Sequence, residues 1–201
     1  MNRLPFIAFL FTCVFVTGCS NQSTHETSRY YLLHSNSESY QKAATTLTIG
    51  IAPIEVAEYL NTQGIALITQ SNQIQFARYH LWAELPNRAI PRVLHSEIER
   101  ALPHIGIETD RHSGASEWDY TLLIQIDQFH GSEQGDATLS GYWSLKDKDK
   151  ILTKQRFNFS EKIDSPGYDP LVSKLRKHLS SLALEQTKTI SEFIKNYKTD
   201  N

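Results

Sequence analysis

Three consecutive stretches alternate apolar and polar side chains with a period of two. Tyr120, Leu122, Ile124 and Ile126 alternate with Thr121, Leu123, Gln125 and Asp127. Ala137, Leu139, Gly141, Trp143 and Leu145 then alternate with Thr138, Ser140, Tyr142 and Ser144, and Ile151, Thr153, Gln155, Phe157 and Phe159 continue the pattern. Successive side chains on a strand point to opposite faces, so each stretch reads as a strand with one buried face. The links are short and polar, Gly131–Gly135 and the charged run Lys146–Lys150. Connections this short join antiparallel neighbours, and the three strands form a meander. The chain is therefore built on a sheet, and its remaining apolar segments must pack around one.

Those segments read as a mixture. Arg29–Leu33 and Leu47–Ile54 are strand candidates, and Ile65–Gln70 with Gln73–Ala77 flank Ser71-Asn72 as a small hairpin. A helix is expected to start between Asn87 and Pro91, with Asn87 as its cap, and to carry Ile90, Leu94, Ile98, Ala101 and Leu102 on one face. Pro103 and Gly106 end it, and Ile105–Glu108 reads as a brief strand. Ser165-Pro166-Gly167 breaks the chain before Asp169-Pro170, a cap and first-turn proline for a long C-terminal helix. Its apolar stripe is Val172, Leu175, Leu179, Leu182, Ile190, Phe193 and Tyr197, interrupted near Gln186. The expectation is a single α/β domain over 30–198, with a mixed sheet that includes the meander and a long C-terminal helix.

The N-terminus carries a different signal. Met1-Asn2-Arg3 precedes a 13-residue apolar run, Leu4–Val16, and then Thr17-Gly18-Cys19-Ser20. A basic start, a short greasy stretch and small residues describe a secretory signal. The run is shorter than the roughly 20 apolar residues a membrane span needs. Val16-Thr17-Gly18-Cys19 resembles the lipobox of bacterial lipoproteins. That resemblance implies diacylglycerol on the Cys19 sulfur, cleavage after Gly18 and an N-acyl chain on the new terminus. It also implies no further cofactor. Ser20, where lipoproteins kept at the inner membrane often carry aspartate, points to the periplasmic leaflet of the outer membrane. Residues 20–29 (SNQSTHETSR) contain no apolar side chain to pack and have the composition of a flexible tether beyond Cys19.

Removing residues 1–18 from the 201 leaves 183, enough for one domain with its own core. Arg3 is the only charge removed from a total of −2, so the remainder is near −3, with both signs scattered. That is neither the basic footprint of a nucleic-acid binder nor a polybasic lipid-binding segment. Cys13 leaves with the signal, so no second thiol remains for a disulfide, a metal or a nucleophile. No glycine-rich phosphate loop is present. His95 and Glu99 stand four apart without a second metal ligand, and Gly131–Gly135 lacks the spacing of a serine elbow. The sequence announces no enzyme and no metal site.

Tyr31-Leu32-Leu33, Ile49-Gly50-Ile51-Ala52-Pro53-Ile54, Glu58-Tyr59-Leu60 and the stretch from Tyr79 to Leu85 (YHLWAEL) together carry a family likeness. They resemble the auxiliary lipoproteins of ABC-type and MCE-type transport systems, the PqiC (YmbA) family. Two positions depart from that pattern: Leu81 stands where relatives usually have arginine, and Asn61-Thr62 where a basic residue is common. The resemblance implies an αβα layered domain that docks a periplasm-spanning MCE-domain (PqiB-like) protein and a permease-like (PqiA-like) membrane protein to the outer membrane. Such a system moves lipids or other hydrophobic molecules and supports membrane integrity. Tyr59, Leu60, Trp82 and Glu84 are the candidate partner-binding residues, and a homo-oligomer is compatible with the role. The competing expectation is a carrier lipoprotein with its own apolar pocket; a hydrolase ranks below both.

Overall fold

The computed structural model describes residues 26–34, 47–71, 73–109 and 118–199. Cys19 and the signal, with most of the tether, lie outside these residues. Nine strands among the described residues form one mixed sheet: β1 (Arg29–Tyr31), β2 (Thr48–Ile51), β3 (Glu55–Val56), β4 (Gly64–Ile68), β5 (Ile74–Trp82), β6 (Gly106–Thr109), β7 (Tyr120–Ser132), β8 (Asp136–Asp147) and β9 (Lys150–Lys162). Two helices, α1 (Pro86–Ala101) and α2 (Tyr168–Thr199), complete the domain.

The 13 residues of β7 organise the sheet. At about 3.3 Å per residue the strand runs roughly 40 Å. One edge pairs antiparallel with β8 from Thr121 opposite Lys146 to Gly131 opposite Ala137. The other edge is shared by three parallel strands in succession: β2 at Tyr120–Leu122, β3 at Gln125–Ile126 and β4 at Gly131–Ser132. Two branches then leave this edge. β6 adds to β2, while β5 adds antiparallel to β4 and β1 adds parallel to β5. On the far side β9 closes the meander against β8.

The register of β7 with β8 shifts between Ile126 and Gln128, a bulge that bends the strand. Gly141 stands opposite Ile126 beside it. A Cβ at Gly141 would lie 2.0 Å from the Gln125 carbonyl oxygen and 2.9 Å from the Phe157 ring. Only glycine lets the two backbones approach this closely.

One face of the meander is apolar. Leu122, Ile124, Ile126 and Phe129 on β7 and Leu139, Trp143 and Leu145 on β8 are buried there. α2 lies across this face with Leu171, Leu175, Leu179, Leu182, Ala183 and Ile190. α1 packs against α2, β3 and β6 through Ile90, Val93, Leu94 and Ile98, so the described helices form one layer. Between them Glu97, only 4% exposed, receives Arg176 of α2 at 2.5 Å and pairs with Arg100 of its own helix. A buried carboxylate is tolerable only when its lone pairs are met in this way.

The α/β class, mixed sheet, meander and C-terminal helix are as expected from the sequence; several local details differ. β5 runs on to Trp82 instead of ending at Ala77, because the strand continues to pair beyond the hairpin. α1 starts at Pro86 with Leu85 at the cap position and no side-chain cap, so Asn87 lies inside the helix. A proline in the first turn needs no N–H partner there. Ala101 is exposed, while Ile98 and Leu102 beside it are buried. Asp169 lies in the first turn of α2, not at its cap. Gln186 is fully buried without a hydrogen bond to either amide atom.

Two histidines flank β8. His130 stands opposite Thr138 and donates from Nδ1 to the Gly131 carbonyl at 2.9 Å, leaving Nε2 buried without a partner. His178 of α2 donates from Nε2 to the Ala137 carbonyl at 3.2 Å. Burial pushes both imidazoles below their ordinary value, since a charged ring would lose its hydration.

Two outcomes follow. Gly141→Ala should cost about 1–3 kcal/mol or more through overpacking and a displaced ladder, read as a lower urea midpoint; an unchanged midpoint contradicts the close approach. Below about pH 6.5 the unfolded histidines take up protons that the folded ones refuse. Stability should therefore fall as pH drops from there towards the lower folded values, and be flat in this respect above it. Denaturation at pH 7.5 and 5.5 measures the fall, and His178→Gln should make it shallower; an equally steep fall in the variant contradicts the assignment.

Candidate functional site

The end of the domain nearest the N-terminal tether is built from β1, the start of α1 and the start of α2. β1 pairs in parallel with the last residues of β5, Arg29 opposite His80 and Tyr31 opposite Trp82. Tyr31 Oη lies 2.9 Å from His80 Nδ1, and the His80 ring stacks on Tyr168 of α2 at 4.0 Å. Ala83 donates its N–H to the Tyr31 carbonyl at 2.8 Å, so the chain leaving β5 is tied back to β1.

Two residues after Tyr31, Leu33 and His34, are held more firmly than a short edge strand requires. Leu33 is 1% exposed. Its carbonyl accepts from Arg92 Nη2 of α1 at 2.7 Å, and Arg92 is itself paired with Glu84 at 2.6 Å. The next carbonyl, that of His34, accepts from Arg176 Nε of α2 at 2.7 Å. Arg176 also holds Glu97 and donates to Ser180 Oγ at 2.6 Å. Two arginines, one from each helix, thus grip consecutive carbonyls of the N-terminal segment. A guanidinium has enough donors to serve a carbonyl and a carboxylate at once, which an ammonium point charge does less well.

Of the residues singled out from the sequence, Trp82 and Leu60 are in the core, 3% and 2% exposed, and present no side chain to a partner. Trp82 stacks on Phe129 with ring centroids 5.7 Å apart. Tyr59, in the 3-10 turn Glu58–Leu60, is half-buried and donates its hydroxyl to the Asp127 carbonyl at 3.1 Å. Burial pushes its phenol up to about 12. Glu84 is partly exposed and committed to Arg92. The two motifs therefore converge on the bulged stretch Asp127–Phe129 of β7, from different sides of the chain. Cys19 lies outside the described residues. Arg92 and Arg176 were missed in the sequence, where each reads as one more polar residue of an amphipathic helix.

Nothing in this arrangement resembles a reacting constellation. Among the described residues no group of three or more His, Cys, Asp or Glu side chains could hold a metal ion, and no helix is long and apolar enough to cross a membrane. Tyr59, His130 and His178 are shifted chiefly by burial and bond to backbone carbonyls, not to one another. The geometry can hold a segment and present surfaces.

Comparison with known proteins agrees with that reading. Residues 30–185 match the model of the family described as ABC-type transport auxiliary lipoprotein component. The chain is 22% identical over 184 residues to the intermembrane transport lipoprotein PqiC of Escherichia coli (strain K12), covering 90% of this chain and 93% of that one, and PqiC of Shigella flexneri matches equally. Among solved structures, an uncharacterized protein superposes with a TM-score of 0.70 at 23% identity, covering 82% of this chain and 99% of that one. A Xanthomonas campestris protein gives 0.65 at 13% identity, covering 86% and 98%. These two show the fold, and the family match spans most of the described domain. The chain belongs to the ABC-type transport auxiliary lipoproteins.

Proposed function

We propose that this protein is a non-enzymatic docking subunit of an MCE-type envelope lipid-transport system. It is held at the periplasmic leaflet of the outer membrane by lipid on Cys19, and it joins an MCE-domain protein and a permease-like membrane protein to that membrane, contributing to membrane integrity. The observation that carries this reading is the double arginine grip on Leu33 and His34. A domain that hangs from its N-terminus needs that segment fixed to its core. Here Arg92 and Arg176 tie it to both helices, and Leu33 is buried beneath them. Two or more acyl chains on Cys19 supply the stable half of the anchor, at roughly 0.8 kcal/mol per buried methylene.

The family relationship supports a role within a multi-component transporter. The interior between sheet and helices is filled by Trp143, Phe129 and the leucines of α2, which favours docking over carriage of a lipid inside the domain.

In cells crosslinked before detergent extraction, a C-terminally tagged protein should bring down an MCE-domain protein and a permease, identified by mass spectrometry. Recovery of the protein alone with bound lipid would replace docking with carriage. Cys19→Ala should shift the protein from the membrane to the soluble periplasmic fraction; unchanged fractionation would sink the anchoring part.

A further inference from the structure

The face of the meander turned away from the helices is not a neutral surface. Its rungs are set by the ladder: Leu123 opposite Ser144, Gln125 opposite Tyr142, and then Tyr142 opposite Arg156 and Ser144 opposite Lys154. Arg156 lies over the Tyr142 ring with its guanidinium carbon 5.1 Å from the centroid, and Lys154 Nζ lies 5.7 Å from the same centroid. Lys146 stands on the same face, opposite Thr121.

None of these three cations has a carboxylate within ion-pair distance among the described residues. Several cations elsewhere are paired. Lys162 pairs with Asp136, Lys174 with Glu161 and Asp164, Arg92 with Glu84, and Arg100 and Arg176 with Glu97. On this face the three cations outnumber Glu55, so positive charge is in excess there.

The cations border a hollow. An open pocket of about 300 Å³ is lined by Pro53, Glu55, Leu123, Tyr142, Ser144 and Lys154 among others. Pro53, Leu123 and the Tyr142 ring provide apolar wall, and Ser144, buried on this otherwise open face, provides a hydroxyl. Glu55 is the acid of the lining, on β3 opposite Gln125.

We propose that this face docks an acidic segment of a partner polypeptide, one apolar side chain entering the hollow while carboxylates meet Lys154, Arg156 and Lys146. This rests on the docking reading above and assigns its surface. A concave hollow with an apolar wall suits a side-chain anchor ringed by charge. Three cations are fewer than the four to eight that mark attraction to an anionic lipid surface, which also needs no hollow. Because Tyr142 already holds Lys154 and Arg156 in place, little side-chain freedom is lost when carboxylates arrive.

The test uses the full lipoprotein in cells, with a photo-crosslinking residue at Gln125 in the hollow or at Leu184, 67% exposed on α2, as control. Crosslinks from Gln125 to the transport partner, absent from Leu184, are expected. Lys154→Glu with Arg156→Glu should lower their yield about tenfold or more, with thermal unfolding unchanged to show that the variant folds. Undiminished recovery and crosslinking in the charge-reversed variant would overturn this surface and leave docking intact. Failure of the unaltered protein to recover any transport partner would overturn the docking reading and this proposal with it. Binding of purified protein to phosphatidylglycerol vesicles that the reversal abolishes, without an effect on partner crosslinks, would assign the face to lipid instead.

Discussion

Everything in this domain hangs on β7, which pairs with one strand along one edge and with three in turn along the other. Parallel strands cannot be joined by tight turns, so β2, β3 and β4, all running parallel to β7, come from an earlier part of the chain than β7. The chain meets that demand by placing β2 at the start of β7, β3 at its middle and β4 at its end, before the strand itself appears in the sequence. The result is a sheet that forks: one branch carries β6, the other carries β5 and β1. The bulge after Ile126 falls between β3 and β4, where the two branches part, and Gly141 on β8 lets the backbone close there.

The β4–β5–β1 branch and the meander lie on opposite edges of β7. The β4–β5–β1 branch receives the N-terminal segment, and the helix pair locks it through Arg92 and Arg176. The buried Glu97 sits at the junction of α1 and α2, so the same arginine that meets it also reaches the His34 carbonyl. Losing Glu97 would leave Arg176 without its buried counter-charge, and losing Arg176 would leave the buried carboxylate to Arg100 alone. The meander side, by contrast, turns its cationic face outward from the helices. The proposed connector role would use these two parts of the sheet, the N-terminal segment at one and the cationic face at the other.

The meander was legible because period two over three long strands leaves little ambiguity, and the C-terminal helix because Leu175, Leu179 and Leu182 keep the helical repeat. The two-residue strand β3 was not, since Glu55-Val56 has no pattern of its own and exists only because β7 leaves an edge there. The start of α1 was misplaced because Asn87 is a good cap in isolation, while the chain turns at Pro86 to follow Trp82 out of the sheet. Trp82 and Leu60 stand among the candidate partner-binding residues on the strength of a motif, while stacking on Phe129 and burial place them in the core. The arginine grip depends on residues 59 and 142 positions away from their carbonyl partners. No local spacing can announce such contacts.

The most direct test of this account is native-state hydrogen exchange resolved along β7. Its amides from Leu122 to Gly131 should belong to the slowest class in the protein and exchange only with global unfolding, at both branches alike. If the half of β7 beside β2 exchanged by local opening while the half beside β4 stayed closed, β7 would not be the common spine, and the two branches would be separate units that merely touch.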